Sequence, residues 1–327
     1  MDMRSSIAVI LTVFNRREKT VSCLQHLFAA ANAARETVNL TVFLTDDGCT
    51  DGTAEAVREL FSQLSTLNPQ LSTLNPQLSS IHIIQGDGNL YWAGGMRKAW
   101  QAAIDSGAPW DYYLLINDDT YIYNNVFTQL FEAIDYGYRL TGRYGMASGI
   151  TCQPGHPQEI TYGGLNFVNK TKGRQELVKP TGKPQRIDMT HANILLVHHS
   201  VVEEVGIFYK GFLHSGADQD YGMMAARHGF PVYSTSIVCG ECERDHSSEE
   251  EEAQQLMSLS LAERKKYINS PLHNDRDYLL TVRRNMPLRY PMACLMRAIR
   301  LYFPAVYYWI TNLRGVYKKT SSTGPES

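Results

Sequence analysis

The sequence lacks the features that define several large classes of protein. Its longest apolar run, Leu301 to Ile310, has ten residues and includes Pro304, whereas a membrane span needs about 18. Lys and Arg number 31 against 33 Asp and Glu in 327 residues, so the formal charge is only −2. This balance excludes a strongly basic nucleic-acid binder, and 43% hydrophobic content excludes a disordered chain.

Cysteine is also scarce, with six in the whole chain, which excludes the disulfide framework of a small secreted domain. Cys239 and Cys242 form a C-x-x-C pair, but no second pair completes a tetrahedral zinc site, so we interpret them as incidental thiols. The first residues lack the charged start, long apolar core and cleavage site of a secretory signal. We therefore expect a cytoplasmic protein.

Short apolar runs alternate with segments of helical periodicity along most of the chain. The first run, Ile7 to Val13, is continuous and rich in β-branched residues, as is typical of a buried parallel strand. Similar runs occur at 40–44, 81–84, 112–116 and 194–197, and segments with helical spacing lie between them. The alternation predicts an α/β fold with a mostly parallel sheet. The tandem QLSTLNP repeat over 63–76 predicts a lengthened surface loop.

Two pairs of carboxylates fall at predicted strand ends. Asp46 and Asp47 follow the second strand, and Asp118 and Asp119 follow the strand at 112–116. Ligands of open parallel sheets bind at the carboxyl ends of the strands. Adjacent carboxylates repel unless a cation or an array of donors offsets their charge. The pattern therefore predicts an oxygen-lined site for Mg²⁺ or Mn²⁺ that substrate phosphates complete.

Three motifs in order resemble those of family 2 glycosyltransferases, which have the GT-A fold. Thr12-Val-Phe-Asn-Arg16 resembles the opening T-x-[YF]-N-R, and Asp46-Asp-Gly-Cys-Thr-Asp-Gly-Thr53 resembles DDGSTDGT. Asn117-Asp-Asp119 stands where the family has its metal-binding DXD, with Asn117 in place of the first Asp. The resemblance runs from about residue 7 to 245. It implies that Asp119 is the metal ligand and that Asp46 contacts the base of the donor nucleotide.

A glycine-bearing segment, 88–97, resembles the part of the family that lies against the donor. Its glycines permit close approach of backbone to a ligand, and Trp92 is suited either to stack on the donor or to pack internally. The resemblance implies the following donor-binding residues: Thr12, Phe14, Asn15, Arg16, Asp46, Asp47, Asn89, Trp92, Gly95, Arg97, Asn117 and Asp118.

Asp218-Gln-Asp220 resembles the family's E-D-x-D segment, with Ala217 in place of the Glu. Asp218 is then the candidate general base, which takes the proton of the acceptor hydroxyl. Asp220 is suited either to bind the acceptor or to cap the following helix, and His214 is a second candidate for acceptor binding. His246 is the only nearby histidine for a metal, and we do not include it among the predicted metal ligands.

The function implied is inverting transfer of a sugar from a nucleoside-diphosphate sugar to an acceptor hydroxyl, with Mg²⁺ or Mn²⁺. The acceptor is expected to be a saccharide or a lipid-linked molecule in polysaccharide or glycolipid synthesis. Two alternatives stay open: a sugar-phosphate nucleotidyltransferase, and a binding protein with decayed motifs. The first would show a G-x-G-x-R near the first strand, which residues 7 to 20 lack.

Charge is divided unevenly along the chain. Residues 276–327 contain nine Lys or Arg and two Asp or Glu, a net of +7, so the first 275 residues carry −9. We predict a catalytic domain over residues 1–250 and a basic, amphipathic helical extension over 251–327. The extension is either a cap on the catalytic domain or a peripheral contact with the inner face of a membrane. The arginines that suggest such a contact are Arg283, Arg284, Arg289, Arg297, Arg300 and Arg314.

Overall fold

Strands and helices alternate through the first part of the chain in the order that the apolar runs predicted. The computed structural model describes residues 4–67, 80–244, 249–273 and 275–313. The first seven elements are β1 (Ser5–Val13), α1 (Arg17–Ala33), β2 (Val38–Asp46), α2 (Thr53–Leu67), β3 (Ile81–Gln85), α3 (Tyr91–Asp105) and β4 (Tyr112–Ile116). Most of the tandem repeat, over 68–79, lies outside the described residues.

The next eleven elements complete the central sheet and its surroundings. They are β5 (Tyr121–Ile122), α4 (Val126–Thr141), β6 (Met146–Gln153), β7 (His156–Tyr162), β8 (Leu165–Asn169), β9 (Arg174–Leu177), β10 (Gln185–Arg186), β11 (Ile194–His198), α5 (His199–Val205), α6 (Ala217–Arg227) and β12 (Val232–Glu241). The apolar runs named from the sequence stop at 112–116 and resume at 194–197, so they miss β6 to β9, which lie between. These strands escape pattern recognition because β7 is mostly exposed and bulges interrupt the β6–β7 and β8–β9 pairings.

The central sheet has the strand order β10-β12-β6-β11-β4-β1-β2-β3. Strands β3, β2, β1 and β4 run parallel, and β11 is antiparallel to its neighbours β4 and β6. The register pairs Val13 with Asp46 and Ile10 with Leu115. The carboxyl ends of β1, β2 and β4 therefore meet at one edge of the sheet, where the predicted carboxylate pairs lie.

Both faces of the sheet are covered, which explains the continuous apolar character of β1. Alternate residues of that strand enter two separate cores, with Val9 on one face and Ile10 on the other. Helices α1, α2 and α4 cover the first face, while α3, α5 and α6 cover the second. The mixed α/β fold is as predicted.

Five helices follow the sheet and form the C-terminal part of the described chain. They are α7 (Glu249–Ser258), α8 (Leu261–Ile268), α9 (Asp275–Asn285), α10 (Tyr290–Tyr302) and α11 (Pro304–Leu313). A buried ionic cluster joins Arg300 of α10 to Asp275 and Glu252. Among the described residues, no helix is long and apolar enough to cross a bilayer. The domain boundary at residue 250 stays a prediction, and residues 314–327 lie outside the described chain.

Candidate active site

The first carboxylate pair, Asp46 and Asp47, is satisfied by backbone donors. Asp47 accepts hydrogen bonds from the N–H groups of Gly88, Leu90 and Tyr91, at 2.9 to 3.1 Å. Asp46 Oδ1 accepts one from Cys49 N at 2.8 Å. The charge of this pair is therefore offset by an array of N–H groups, and Asp47 holds the glycine-bearing loop and the first turn of α3 in place.

Glycine is required where this loop approaches the strands. A Cβ at Gly86 would lie 2.5 Å from Asp47 Oδ1, and one at Gly95 would lie 2.0 Å from Thr12 Oγ1. Thr12 in turn donates to Thr45 O at 3.3 Å. Thr12 and Gly95, both predicted to bind the donor, thus form a close contact between β1 and α3. Their donor-binding role remains a prediction.

Residues 14–16 form the turn between β1 and α1. Asn15 has a positive φ of 51°, and its Oδ1 accepts from Thr50 N at 2.7 Å, so it ties this turn to the loop after β2. Phe14 is 55% exposed, which is unusual for a large aromatic side chain at the end of a buried strand. A ligand at the strand ends would find this ring free to stack.

Arg16 joins the second carboxylate pair. Its Nη1 lies 2.7 Å from Asp119 Oδ2 and 3.3 Å from Asp118 Oδ1. Both carboxylates are less than 10% exposed. Burial, followed by the neighbouring charge of Asp119, raises the pKa of Asp118 to about 6, and Arg16 opposes that rise. Two buried carboxylates therefore share one cationic side chain.

Asn117 does not point its side-chain oxygen into open space. Its Oδ1 accepts a hydrogen bond from Trp92 Nε1 at 2.9 Å. The indole of Trp92 also packs against Phe208, with ring centroids 5.6 Å apart. Of the two roles open to Trp92, these contacts favour internal packing.

Two other predicted donor residues make local contacts. Asn89 lies in the exposed turn before α3, where its Nδ2 donates to Asp87 O at 3.3 Å. Arg97 Nη1 donates to the carbonyl oxygens of Phe212 at 2.8 Å and Tyr209 at 3.3 Å. Burial lowers the pKa of Arg97. Arg97 thus holds the segment before α6, and its contact with the donor stays a prediction.

Asp218 lies in the first turn of α6, beside a segment that sequence analysis missed. Its Oδ2 accepts from Ala192 N at 3.0 Å and its Oδ1 from Gln219 N at 2.9 Å. Thr190 Oγ1 donates to the backbone oxygen of Asp218 at 2.6 Å. Burial raises the pKa of Asp218 to about 6, although these N–H donors oppose the shift. A carboxylate of this pKa is suited to act as a base near neutral pH.

The missed segment connects Asp218 to the second carboxylate pair. Asn193 O accepts from Asn117 N at 3.4 Å, and Asn193 Nδ2 contacts Cys242 Sγ at 3.3 Å. The Cys242 thiol lies 3.7 Å from Asp119 Oδ1. These contacts follow from the antiparallel pairing of β11 with β4, which sets Ile194 opposite Ile116. In the sequence, residues 190–193 are only a polar segment before the apolar run at 194–197. Nothing in that pattern indicates that the strand is antiparallel to β4.

Asp220 does not take the capping role that the sequence offered it. Its side-chain carboxylate does not cap α6, whose N-cap is Gly216. Instead Asp220 is 2% exposed, and its Oδ1 accepts from Arg284 Nε at 2.9 Å and Asn285 Nδ2 at 2.6 Å, both on α9. The cap prediction is wrong, because the backbone of Gly216 begins the helix and Asp220 faces the C-terminal helices. Acceptor binding by Asp220 stays a prediction.

His214 lies in the segment before α6, where its ring meets Tyr91 at a centroid distance of 6.4 Å. Burial lowers the pKa of His214, which favours the neutral form of the ring. Its Nδ1 has no hydrogen-bond partner among the described residues. His246 lies outside them.

Comparison with known proteins decides the family of this chain. A family model described as Glycosyl transferase family 2 matches residues 8–178, more than half of the chain. The chain belongs to glycosyltransferase family 2. A search of curated proteins by sequence found no match.

A solved mannosyltransferase structure shares the fold of this family 2 chain. The mannosyltransferase PcManGT from Pyrobaculum calidifontis, in complex with GDP-Man and Mn²⁺, has a TM-score of 0.50 and 14% identity over 96% of this chain and 81% of its own. S. aureus TarS 1–349 has a TM-score of 0.45 and 15% identity over 92% and 73%. Family membership and the likeness to PcManGT establish a GT-A glycosyltransferase fold.

The side chains of this glycosyltransferase fit a divalent cation only if a substrate shares it. Among the described residues, no group of three or more His, Cys, Asp or Glu is arranged to hold a metal ion. Mg²⁺, however, is commonly bound by one or two carboxylates together with substrate phosphates. Asp118 and Asp119 supply that number, and their buried charge is only partly offset by Arg16. These two carboxylates therefore fit a divalent cation whose remaining ligands come from the diphosphate of a bound substrate.

Proposed function

We propose that the protein is an inverting glycosyltransferase that moves a sugar from a nucleoside-diphosphate sugar to an acceptor hydroxyl. The observation that carries this proposal is Asp218, a base of pKa about 6 that residues 192–193 connect to the strand end bearing Asn117. A base beside a donor site is what direct displacement at a sugar requires.

In the proposed reaction, the acceptor oxygen attacks the anomeric carbon and its proton passes to the carboxylate of Asp218. The bond between the anomeric carbon and the diphosphate oxygen breaks, and the nucleoside diphosphate leaves with the electron pair. One displacement of this kind inverts the anomeric centre. A positioned base contributes on the order of 10²- to 10⁴-fold to such a step.

On the donor side, the exposed ring of Phe14 is suited to stack on the nucleobase, and Asp46 lies at the end of the neighbouring strand β2. We propose that Asp118 and Asp119 hold Mg²⁺ or Mn²⁺ when the donor is bound. A divalent cation there would offset charge on the leaving diphosphate. Arg16, already 2.7 Å from Asp119, lies where its positive charge serves the same end.

The acceptor is proposed to be a saccharide or lipid-linked molecule in polysaccharide or glycolipid synthesis, with the enzyme working in the cytoplasm beside a membrane. Support comes from the C-terminal helices, where seven large apolar side chains between 288 and 309 are at least 46% exposed. We name these the apolar face: Leu288, Met292, Leu295, Tyr302, Phe303, Val306 and Trp309. These side chains are concentrated in one short stretch of sequence, and the aromatic ones suit a lipid interface.

A panel of nucleotide sugars tests the proposed function. We expect one donor to raise the melting temperature of the chain and to release its nucleoside diphosphate when Mg²⁺ or Mn²⁺ is present, with loss of release in excess chelator. Binding without release would instead favour a non-catalytic binding protein. Formation of pyrophosphate from a nucleoside triphosphate and a sugar phosphate would favour the nucleotidyltransferase.

A further inference from the structure

The segment that precedes Asp218 is held by a buried carboxylate on a distant helix. Asp277 of α9 accepts from three consecutive backbone N–H groups, those of Leu213, His214 and Ser215. The shortest of these contacts joins His214 N to Asp277 Oδ2 at 2.7 Å. Asp277 is only 2% exposed. Hydrogen bonds to a buried charge are the strong ones, so this contact fixes the backbone of the segment.

The same segment is held from its other side by a cation. Arg97 of α3 donates to the carbonyl oxygens of Tyr209 and Phe212, while Asp277 accepts from the N–H groups that follow. We name residues 209–216 the acceptor-side loop. The backbone of this loop is therefore held by Arg97 of α3 and by Asp277 of α9.

The acceptor-side loop touches both halves of the proposed site. Leu213 O accepts from Ala93 N at 3.1 Å, next to the Trp92 that bonds Asn117. At its other end the loop becomes Gly216, the N-cap of the helix that carries Asp218. A Cβ at Gly216 would lie 2.8 Å from Thr281 Oγ1, so α9 also packs closely at this point.

A second pair of contacts fixes the helix itself. Arg284 and Asn285, at the end of α9, both donate to Asp220, two residues after Asp218. Helix α9 thus holds the loop before Asp218 and the turn after it. Sixty or more residues separate α9 from these partners in sequence, and α9 lies beyond the matched segment 8–178.

We infer that Asp277 is a positioning residue of this enzyme, which holds the acceptor-side loop so that Asp218 meets the acceptor hydroxyl. The inference rests on the proposed role of Asp218. Asp277 touches no reacting atom, because its carboxylate faces backbone N–H groups. A displacement of about 1 Å at a reacting group can cost on the order of 10²-fold in rate, so a loosened loop should lower turnover without weakening the donor site.

The test compares Asp277→Asn with Asp275→Asn in the full chain. Asp275 is matched because it lies on the same helix and is similarly buried, but it pairs with Arg300 and does not touch the loop. Hydrogen exchange of the amides of 213–215 is measured first. Release of nucleoside diphosphate from the donor and binding of the best-stabilising diphosphate among UDP, GDP, dTDP and CDP are measured next.

We expect Asp277→Asn to speed exchange of these amides at least ~10-fold and to lower kcat by ~10- to 100-fold, with diphosphate affinity within about twofold. Asp275→Asn should lower the melting temperature yet leave these three quantities unchanged. Asp277→Glu keeps the charge and should recover part of kcat, which a merely structural loss would not show.

Equal kcat or equal exchange in the Asp277→Asn and Asp275→Asn proteins would overturn the inference. Failure of both Asp277 variants to fold, with Asp275→Asn folded, would make Asp277 a purely structural residue and would also overturn it. If the wild-type chain releases no diphosphate, the proposed function fails. If amide exchange is still faster in Asp277→Asn, the contact of Asp277 with the loop then has a structural role only, and the inference fails with the function.

Discussion

Asp218 and Asp220 are two residues apart on one helix and have opposite environments. Within the described chain, Asp218 accepts only from backbone N–H groups, and burial raises its pKa to about 6. Asp220 is paired with Arg284 and bonded by Asn285, so its charge is compensated in place. A base must be able to take and release a proton near working pH. The environment therefore favours Asp218 for catalysis and Asp220 for holding the helix against α9.

Replacement of the base isolates its contribution. In Asp218→Asn the side chain keeps its size but cannot take a proton, so we expect release of nucleoside diphosphate to fall by about 10²- to 10⁴-fold. Donor affinity, measured by titration calorimetry, should change by less than about twofold. Asp188→Asn is the matched control, since Asp188 also accepts from a backbone N–H, that of Phe167, but lies outside the site. Undiminished turnover in Asp218→Asn would refute the assignment.

The raised pKa of Asp218 predicts a pH profile with a definite sign. The carboxylate is the active form, so kcat/KM should be constant above pH 7 and fall as pH drops through about 6. With one such group, activity at pH 5 should be about tenfold below that at pH 7. The profile is measured at saturating Mg²⁺. The residual kcat/KM of Asp218→Asn should show no fall near pH 6. A fall that persists in this variant would assign the titration to another group.

At the scale of single elements, the strands that bear the proposed donor site were predictable from sequence. Continuous apolar runs gave β1, β2 and β4 because both faces of the sheet are buried there. The carboxylate pairs followed, since each comes directly after such a run. What the sequence could not supply was the choice of partners. The segment before β11 bonds Asp218 through Ala192 N, and α9 bonds His214 and Asp220 from more than 60 residues away. No local pattern encodes contacts of that range.

Helix α3 shows how one carboxylate supports an element of the site. Asp47 accepts from three N–H groups at the start of α3 and the loop before it. Asn at this position offers one acceptor oxygen and presents an amide to the remaining donors. We therefore expect Asp47→Asn to lower the free energy of unfolding by about 1–3 kcal/mol, measured by urea denaturation.

The control for Asp47→Asn lies at the other end of the same helix. Of the residues that the structure describes, only Gln101 bonds the side chain of Asp105, at the surface, so Asp105→Asn should change stability by less than about 0.5 kcal/mol. Equal unfolding midpoints for the two variants would show that Asp47 does not stabilise the loop.

At the scale of the whole molecule, the division of charge between a −9 region and a +7 tail needs a new interpretation. Several arginines that suggested a lipid contact are used internally: Arg284 pairs with Asp220, and Arg300 with Asp275 and Glu252. Arg297 lies 3.7 Å from Asp275, and Arg314 is outside the described residues. Part of the positive charge therefore binds the C-terminal helices to each other and to α6. We therefore propose that a lipid contact depends on the apolar face as well as on the remaining positive charge.

The apolar face predicts how the chain meets a membrane. We expect the full chain to sediment with phosphatidylglycerol vesicles and to be released only in part by salt, because apolar burial is insensitive to screening. Phe303→Ser with Trp309→Ser removes two exposed aromatic rings and should weaken vesicle binding about tenfold or more, with an unchanged melting temperature. Leu140→Ser, equally exposed but on α4, is the control and should bind as the wild type does. Vesicle binding by the double variant that equals that of the wild type would show that the apolar face does not contact the membrane. A wild-type dimer that the same double variant dissociates would assign the face to a second copy of the chain.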